Sequence, residues 1–346
     1  MDTPLLSVIV PAYQGEILLP VTLGALAASD FPRDRWELIV VDDVSTDATA
    51  SVARRWADRV VSLEGQPHGP AFARNRGVEA SQGTWIVFID ADVKVHTDTL
   101  SCFAAAIEAE PGIVAIFGAY DDDPTSPDFL SQYRNLLHRY VHNTSVGEAD
   151  TFWAGCGAVR RDAYAAIGGF DEARYPRPQI EDIDLGYRLR ERGGRIVLRA
   201  ELQGAHLKRW TLVKAVRADL FDRAIPWVRL LLERGGLITA RSLNLRRGER
   251  SKAALVGLSG LLLTIAAIWQ HAEPALAALI LLFVVVLSNL PLFTWFAFRR
   301  GPLFAVAVVP MNVLYYVISA VAVGVAFVQH LALRRSNSAR LSPQTR

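Results

Sequence analysis

The sequence has few of the residues that build covalent cross-links and metal clusters. Its 346 residues include 2 cysteines, Cys102 and Cys156, which are far apart and lack metal-type spacing. A disulfide framework and a structural zinc site are therefore not expected, and the pair suits a reducing compartment. The sequence also lacks a large excess of positive or negative charge, because its net charge is only +2. We therefore expect no nucleic-acid partner, since such domains carry a strong basic excess.

Charged residues are also few, at 21%, whereas 51% of the residues are hydrophobic. No positively charged segment stands before the first apolar run, and Asp2 precedes it instead. That run is too short for the core of a signal peptide and predicts a first strand.

From about Ser7 to Gly194 the chain alternates β-branched apolar runs with segments of helical periodicity. Continuous apolar runs are typical of parallel strands covered on both faces. Their alternation with helices predicts an α/β fold, an open twisted sheet with helices on both faces. The predicted strands are Leu5–Val10, Glu37–Val41, Arg59–Leu63 and Thr84–Ile89. The predicted helices between them are Ile17–Ser29, Thr46–Ala57 and Ala71–Ala80.

Polar and acidic residues follow these strands at the edge where α/β sheets bind ligands. Asp90 and Asp92 come directly after a run fit only for a buried strand. Burying even a neutral polar group without a partner costs roughly 2–7 kcal/mol, so a cation, basic side chains or water must compensate the two carboxylates. Two carboxylates at this spacing can share one hard cation. The alternative is a pair of loop aspartates that form turns.

The chain becomes strongly apolar from Ala253 onward. Three stretches nearly free of charge each approach the ~20 residues that cross a bilayer. They are Ala253–Trp269, Leu276–Phe298 and Leu303–Val328. Before them, Thr211–Glu233 mixes basic and apolar residues at helical spacing, which predicts either interfacial helices on a membrane or amphipathic helices packed on the sheet domain.

Basic residues flank these stretches unevenly. Arg246, Arg247, Arg250 and Lys252 precede the first stretch, and Arg299 and Arg300 follow the second. The positive-inside rule then predicts a multi-pass protein of the inner cell membrane with residues 1–252 in the cytoplasm. Three full crossings would place Arg334, Arg335 and Arg340 outside. Either the last segment, interrupted by Pro310, is re-entrant, or the rule is broken at this end.

Seven motifs occur in order over roughly residues 5–210. They are SVIVPAYQGE, LIVVDDVSTDAT, GPAFARNRGVEAS, VFIDADV, FWAGCGAVRRDAYAAIGGFDE, IEDIDLGYRLRERG and HLKRW. Together they resemble the inverting, membrane-anchored bacterial type of family 2 glycosyltransferase, which has the GT-A fold. One departure is Val44, where the family usually has glycine. The resemblance implies a GT-A catalytic domain over 1–210, interfacial helices and a linker over 211–252, a transmembrane region over 253–333 and a disordered basic tail over 334–346.

The resemblance implies that the strand ends hold a nucleotide-diphosphate sugar, UDP- or GDP-linked. Asp90 and Asp92 would bind Mg²⁺ or Mn²⁺ between the donor phosphates, and His206 would complete the ligand set, which favours Mn²⁺. For Arg74 a solvated helix face is the alternative, and for His206 a surface histidine in a basic strip. The residues assigned to the donor are Pro11, Ala12, Tyr13, Glu16, Asp42, Asp43, Arg74, Asn75, Asp90, Ala91, Asp92 and Arg209.

Glu181 and Asp182 open a predicted helix that ends at Gly193-Gly194. Acidic residues in a first turn also complement the helix dipole, so the pair alone is weak evidence. In the family, the Asp is the catalytic base that takes the proton of the acceptor hydroxyl, which is a poor nucleophile at neutral pH. A phosphate acceptor is already ionised and needs no base. The pair therefore favours a hydroxyl acceptor over a polyprenyl phosphate.

The predicted acceptor residues are Trp153, Gly155 and Trp210. Trp153 and Trp210 offer planes for sugar stacking, and glycine allows close approach of the backbone. A core tryptophan in a glycine-weakened strand is the alternative for Trp153. HLKRW resembles the Q-x-x-R-W motif of processive synthases, and His206 in place of Gln weakens that interpretation.

The sequence therefore predicts an inverting glycosyltransferase that uses a membrane lipid or lipid-linked acceptor. A processive polysaccharide synthase, a polyprenyl-phosphate glycosyltransferase and a nonenzymatic nucleotide-sugar sensor stay open as alternatives.

Overall fold

The computed structural model describes residues 3–235 and 247–341, with side chains of the second range described to residue 332. The predictions for Arg246, for the side chains of Arg334, Arg335 and Arg340 and for residues 342–346 lie outside the described residues. The chain divides into two compact units, Met1–Trp210 and Thr211–Arg346.

Nine strands of the first unit's described residues form one mixed sheet in the order β3-β2-β1-β4-β8-β6-β9-β5, with β7 paired to β9. The strands β1 to β4 are mutually parallel, as predicted. Strand β8 then runs antiparallel between β4 and β6. The bounds are β1 Leu6–Ala12, β2 Trp36–Asp42, β3 Arg59–Ser62, β4 Trp85–Ile89, β5 Val93–Val95, β6 Ile113–Tyr120, β7 Gly147–Ala149, β8 Cys156–Arg160 and β9 Arg195–His206.

The order of the strands reverses at β1, which lies between β2 and β4. A crevice opens at such a reversal, beyond the carboxyl ends of the strands. The apolar runs predicted as strands form β1, β2 and β4 and are buried along almost their whole length. Helix α3 packs closely on β1, since a Cβ on Gly77 would lie 2.4 Å from Ile9 Cγ2. The helices of this unit are α1 Leu19–Ala27, α2 Thr49–Ala53, α3 Pro70–Glu79, α4 Thr99–Ala109, α5 Phe129–Asn143, α6 Arg161–Ala166 and α7 Glu181–Glu191.

The described part of the second unit is helical. Helices α8 Leu212–Arg217 and α9 Ile225–Glu233 are joined by a π-helical segment, Ala218–Ala224. They are followed by α10 Arg247–Trp269, α11 Ala272–Ser288, α12 Leu290–Arg300 and α13 Pro302–Leu341.

Two helices of the described residues are long and apolar enough to cross a membrane, Arg247–Trp269 and Pro302–Ala332. A third candidate is the pair α11 and α12, which is bent by 54°. The break therefore falls at Asn289 in the second apolar stretch, whereas Pro310 lies inside a continuous helix. Proline is tolerated in such helices when neighbours satisfy the freed backbone groups. Helix α13 also continues into the range 334–341, where a disordered tail was expected.

Candidate functional site

A buried arginine joins the end of β4 to the start of α7. Arg74 is 4% exposed, and its Nη2 donates to Asp90 Oδ1 at 2.8 Å while its Nη1 donates to Glu181 Oε1 at 2.9 Å. The guanidinium also lies 5.3 Å from the ring centre of Phe170. Burial alone would lower the pKa of Arg74, but the neighbouring carboxylates raise it above its usual value. The predicted metal-site and base motifs therefore meet at one buried cation.

The Glu181-Asp182 pair begins α7, as predicted from the sequence. Asp182 Oδ2 accepts a hydrogen bond from the backbone N–H of Ala154 at 3.1 Å. Burial and the charge of Glu181 raise the pKa of Asp182 to about 7, although Arg74 acts to lower it. A carboxylate with such a pKa accepts a proton readily near neutral pH.

Asp92 and His206 approach each other across the β5–β9 pairing. Val93 pairs with His206, and the backbone N–H of Leu207 donates to the carbonyl of Asp92 at 2.9 Å. As a result, Asp92 Oδ2 lies 3.6 Å from His206 Nε2. Burial acts to raise the pKa of Asp92, but the nearby His206 and Lys208 hold it below its usual range.

These side chains fit a divalent cation by their donor chemistry. Asp92 and His206 supply an oxygen and a nitrogen of the kinds that Mn²⁺ accepts. Asp90 gives one oxygen to Arg74, and burial raises its pKa, so a nearby cation would stabilise its charged form. Within residues 3–235 and 247–341, no three acidic, His or Cys side chains are already gathered as a metal site. A cation here would therefore use the Asp92–His206 pair and take further oxygens from a ligand.

The residues predicted to hold the donor nucleotide lie at the ends of β1 and β2. Tyr13 follows β1 and is 53% exposed, and Asp42 Oδ1 accepts from the backbone N–H of Ser45 at 3.2 Å. Asp43 accepts from the backbone N–H groups of His68 and Gly69, the latter at 2.7 Å. Asp43 thus anchors the start of α3, the helix that carries Arg74.

Val44 adopts the left-handed conformation, with φ of 61°. This region is uncommon for any residue other than glycine and strained for a β-branched one. The turn after Asp43 is therefore kept without the glycine that the family usually has there.

Other predicted donor residues are engaged in loop and helix contacts. Glu16 Oε2 accepts from the backbone N–H of Ala48 at 2.9 Å, just before α2. Asn75 donates to the Phe170 carbonyl at 3.0 Å and belongs to a separate network. The side chain of Arg209 is 81% exposed and lies 3.7 Å from Asp128. The remaining predicted donor residues are small or apolar. Pro11 and Ala12 lie within β1, and the backbone carbonyl of Ala91 accepts a hydrogen bond from the Thr22 hydroxyl.

Of the two predicted acceptor tryptophans, Trp210 is buried and Trp153 is half-buried. Trp210 is 8% exposed, and its ring is covered by Arg134 and Lys208 at 4.1 and 4.6 Å. Trp153 packs against an aromatic cluster. A Cβ on Gly155 would lie 2.4 Å from the Trp153 ring, so glycine is needed there to seat that ring.

The prediction from sequence missed Tyr120, whose ring stacks on His206 at 4.6 Å. The rings of Tyr120 and Trp153 also form an edge-to-face pair with centres 4.9 Å apart. Tyr120 is the last residue of β6, which runs parallel to β9. The apolar run IVAIFGAY carries the same strand signal as the four predicted strands, so the rule applied to Asp42 and Asp90 would have found Tyr120.

The mixed sheet, with its order reversing at β1 and acidic residues at the strand ends, is that of a GT-A-like fold. The mannosyltransferase PcManGT from Pyrobaculum calidifontis, solved with GDP-Man and Mn²⁺, has a TM-score of 0.57 at 23% identity and covers 88% of this chain and 87% of that one. Staphylococcus aureus TarS residues 1–349, solved with UDP-GlcNAc, has a TM-score of 0.50 at 18% identity and covers 91% and 90%. The predicted fold is confirmed.

Residues 7–168 match the family model described as Glycosyl transferase family 2. Over 106 residues, the chain is 36% identical to the poly(ribitol-phosphate) beta-N-acetylglucosaminyltransferase TarS of Staphylococcus aureus, covering 30% of this chain and 18% of TarS. Over 223 residues, it is 30% identical to validoxylamine A glucosyltransferase of Streptomyces hygroscopicus, covering 55% and 49%. The predicted resemblance to family 2 glycosyltransferases is therefore confirmed over residues 7–168. The chain spans half or less of the length of these two relatives.

Proposed function

We propose that the protein is an inverting glycosyltransferase that moves a sugar from a nucleotide diphosphate to a hydroxyl of a membrane-associated acceptor. The observation that carries this proposal is the Asp90–Arg74–Glu181 bridge. It brings the donor-side acids and the Glu181-Asp182 pair to one place, and both are needed for the transfer.

Asp182 is the proposed base. The acceptor oxygen attacks the anomeric carbon as the bond from that carbon to the diphosphate oxygen breaks, and Asp182 takes the hydroxyl proton. The pKa of about 7 suits this role, because the carboxylate is ionised at neutral pH yet still basic. A phosphate acceptor would not need the proton transfer, so Asp182 favours a hydroxyl over a polyprenyl phosphate.

Asp92 and His206, with Asp90 beside them, are proposed to hold Mn²⁺ or Mg²⁺. Such a cation, when bound, neutralises the charge that develops on the leaving diphosphate. Asp42 and the residues after β1 are proposed to hold the nucleoside. Among the structural neighbours, one is solved with GDP-Man and Mn²⁺ and another with UDP-GlcNAc, which supports a nucleotide-sugar donor without selecting the base.

The apolar helices support a multi-pass membrane protein with its first unit in the cytoplasm, where nucleotide sugars are available. The basic residues Arg247, Arg250, Lys252, Arg299 and Arg300 support this orientation. A lipid or lipid-linked acceptor would then reach the site from the membrane.

Two paired experiments test the reaction. Asp182→Asn should retain donor binding, measured by calorimetry, and lose at least about 100-fold in transfer rate, the contribution typical of general-base catalysis. Asp184→Asn on the same helix is the matched control, because Asp184 pairs with Arg188 rather than with Arg74. Transfer by Asp182→Asn at the wild-type rate would contradict the base assignment.

The cation and the product are tested with the wild-type protein and Asp92→Ala. Wild-type transfer should stop when the divalent cation is chelated and resume with Mn²⁺, and Asp92→Ala should stay inactive with Mn²⁺. Full activity of Asp92→Ala in chelator would contradict the cation role. Mass spectrometry of the product then separates single transfer, which we expect, from the ladder that a processive synthase makes.

A further inference from the structure

A polar cluster, buried at Asn289 and Tyr316 and partly exposed at Glu249 and Lys252, joins three helices of the second unit. Lys252 Nζ donates to Glu249 Oε1 at 2.8 Å and to Asn289 Oδ1 at 3.0 Å. Tyr316 Oη donates to Glu249 Oε2 at 2.7 Å and lies 3.1 Å from Asn289 Oδ1. Asn289 and Tyr316 are 4% and 1% exposed. The start of α10, the end of α11 and the middle of α13 therefore lie side by side, at the same height along the helix axes.

This level fits a membrane boundary better than a membrane centre. A charged side chain at the centre of a bilayer costs about 2.5–3.5 kcal/mol, and this level contains Glu249 and Lys252, with Arg247 and Arg250 in the same turns. From Glu249 to Trp269, helix α10 rises about 30 Å at 1.5 Å per residue, which is the thickness of the hydrocarbon core. Helix α10 therefore crosses a bilayer if the cluster lies at one surface.

Helix α13 is too long to lie inside the bilayer. Its 40 residues rise about 60 Å, roughly twice the thickness of the core. Beyond Tyr316 it runs alongside α10 in the same direction, because Val256 packs on Tyr316 and a Cβ on Gly257 would lie 3.3 Å from Ala320. Before Tyr316 it extends past the level of the cluster for about 14 residues, or ~21 Å.

We propose that the cluster of Glu249, Lys252, Asn289 and Tyr316 marks the bilayer surface at the N-terminal end of α10. The α13 crossing then begins near Tyr316 rather than at Leu303, and residues 302–315 lie outside the hydrocarbon core. Helix α12 is an interfacial helix that binds the lipid headgroup region. This inference rests on the membrane part of the proposed function.

Helix α12 has the properties of such an element. Its 11 residues rise about 16 Å, too little to cross. One face is buried through Leu292, Phe293 and Phe296, whereas Phe298 is 91% exposed. With a bend of 54° from α11, Phe298 lies about 8 Å beyond the Asn289 level if α11 follows the membrane normal. This depth falls in the headgroup layer, where aromatic and basic side chains such as Arg299 are favoured.

The test is a depth measurement by electron paramagnetic resonance on the full chain in lipid nanodiscs. Cys102 and Cys156 are first replaced by Ser and Ala, and a spin label is attached to one new cysteine at a time. The positions are Leu261→Cys, Val306→Cys and Val328→Cys, all exposed on their helices, at 57%, 68% and 67%. Accessibility to oxygen and to a water-soluble nickel chelate gives the depth of each label.

We expect labels at 261 and 328 deep in the core and the label at 306 at or above the headgroups. A crossing over 303–328 instead places 306 inside the core and 328 at its far surface, which would overturn the inference. Equal depths at 306 and 328 would place Tyr316 at mid-bilayer and also overturn it. A water-exposed label at 261 would contradict the membrane assignment itself, independently of where α13 crosses. Phe298→Cys should report headgroup depth, and burial at the core centre would exclude an interfacial α12.

Discussion

Replacing Arg74 by methionine is expected to destabilise the first unit strongly. The change removes the cation that bridges Asp90 and Glu181 and leaves Glu181, which is 5% exposed, without its ion pair with Arg74. Removing one partner of a buried ion pair typically costs about 3–5 kcal/mol. For a domain of this size each kcal/mol lowers the unfolding midpoint by about 2–4 °C. We therefore expect a midpoint about 6–20 °C lower, measured by near-ultraviolet circular dichroism of the detergent-purified protein.

A control on the same helix separates burial from charge. Arg76 pairs with Glu172, and both side chains are about one-third exposed, so Arg76→Met should cost less than about 1 kcal/mol. Adding Glu181→Gln to Arg74→Met should recover part of the loss, because the unpaired buried charge is then removed. An Arg74→Met midpoint equal to that of Arg76→Met would refute the assignment of Arg74 as the buried bridge.

Three further perturbations follow from particular side chains. Val44→Gly should raise the unfolding free energy by about 0.5–1 kcal/mol, because relief of about 1–2 kcal/mol of left-handed strain exceeds the entropy cost of glycine. Val44→Ala is the control, since alanine keeps the strained positive φ. An equal gain in stability from Val44→Ala would contradict the strain at Val44. The transfer rate should rise with pH through about pH 7 as Asp182 loses its proton, and a flat profile between pH 5.5 and about 8 would contradict this. The same raised pKa means that the folded state holds more protons than the unfolded state between about pH 4 and 7, so stability falls as pH rises there. Denaturant titrations should show Asp182→Asn gaining about 2 kcal/mol on the wild type across this window, half of the about 4 kcal/mol that the full pKa shift corresponds to, because this carboxyl is only half-buried and water screens its charge. Tyr120→Ala should weaken Mn²⁺ binding by about 10-fold in calorimetry, because His206 loses the ring that orients it. Tyr120→Phe keeps the ring and should bind Mn²⁺ normally. An unchanged Mn²⁺ affinity in both variants would exclude a positioning role for Tyr120.

The sequence predicts those parts of the site that depend on local pattern. The positions of Asp90 and Asp92 at the end of a strand could be predicted, because a buried strand must end where charged residues begin. The position of Glu181-Asp182 could be predicted because the pair opens a segment of helical periodicity. The partners of Arg74 could not be predicted from the sequence, since Asp90 and Glu181 are 16 and 107 positions away and only the folded sheet brings them together.

The membrane region shows the same limit. Pro310 is the strongest local breaker in the third apolar stretch, yet the helix passes through it. The break occurs at Asn289, which donates to the Val285 carbonyl within its own helix and accepts from Lys252 in another. Trp210 is likewise predicted to stack on a sugar, and Arg134 on α5 lies over its ring at 4.1 Å. In both places the residue contacts a side chain that is distant in sequence, which a local pattern cannot predict.

The β5–β9 pairing fixes His206 beside Asp92 whatever the length of the loops between the two strands. Val93 and His206 are opposite each other in an antiparallel ladder, and a slip of one residue would turn the imidazole to the other face of the sheet. Roughly a hundred positions lie between them, and the ladder constrains only where that segment starts and returns. Insertions in the loops around α5 or α6 are therefore compatible with an intact Asp92–His206 pair, provided that β6, β8 and the start of α7 keep their places in the sheet domain.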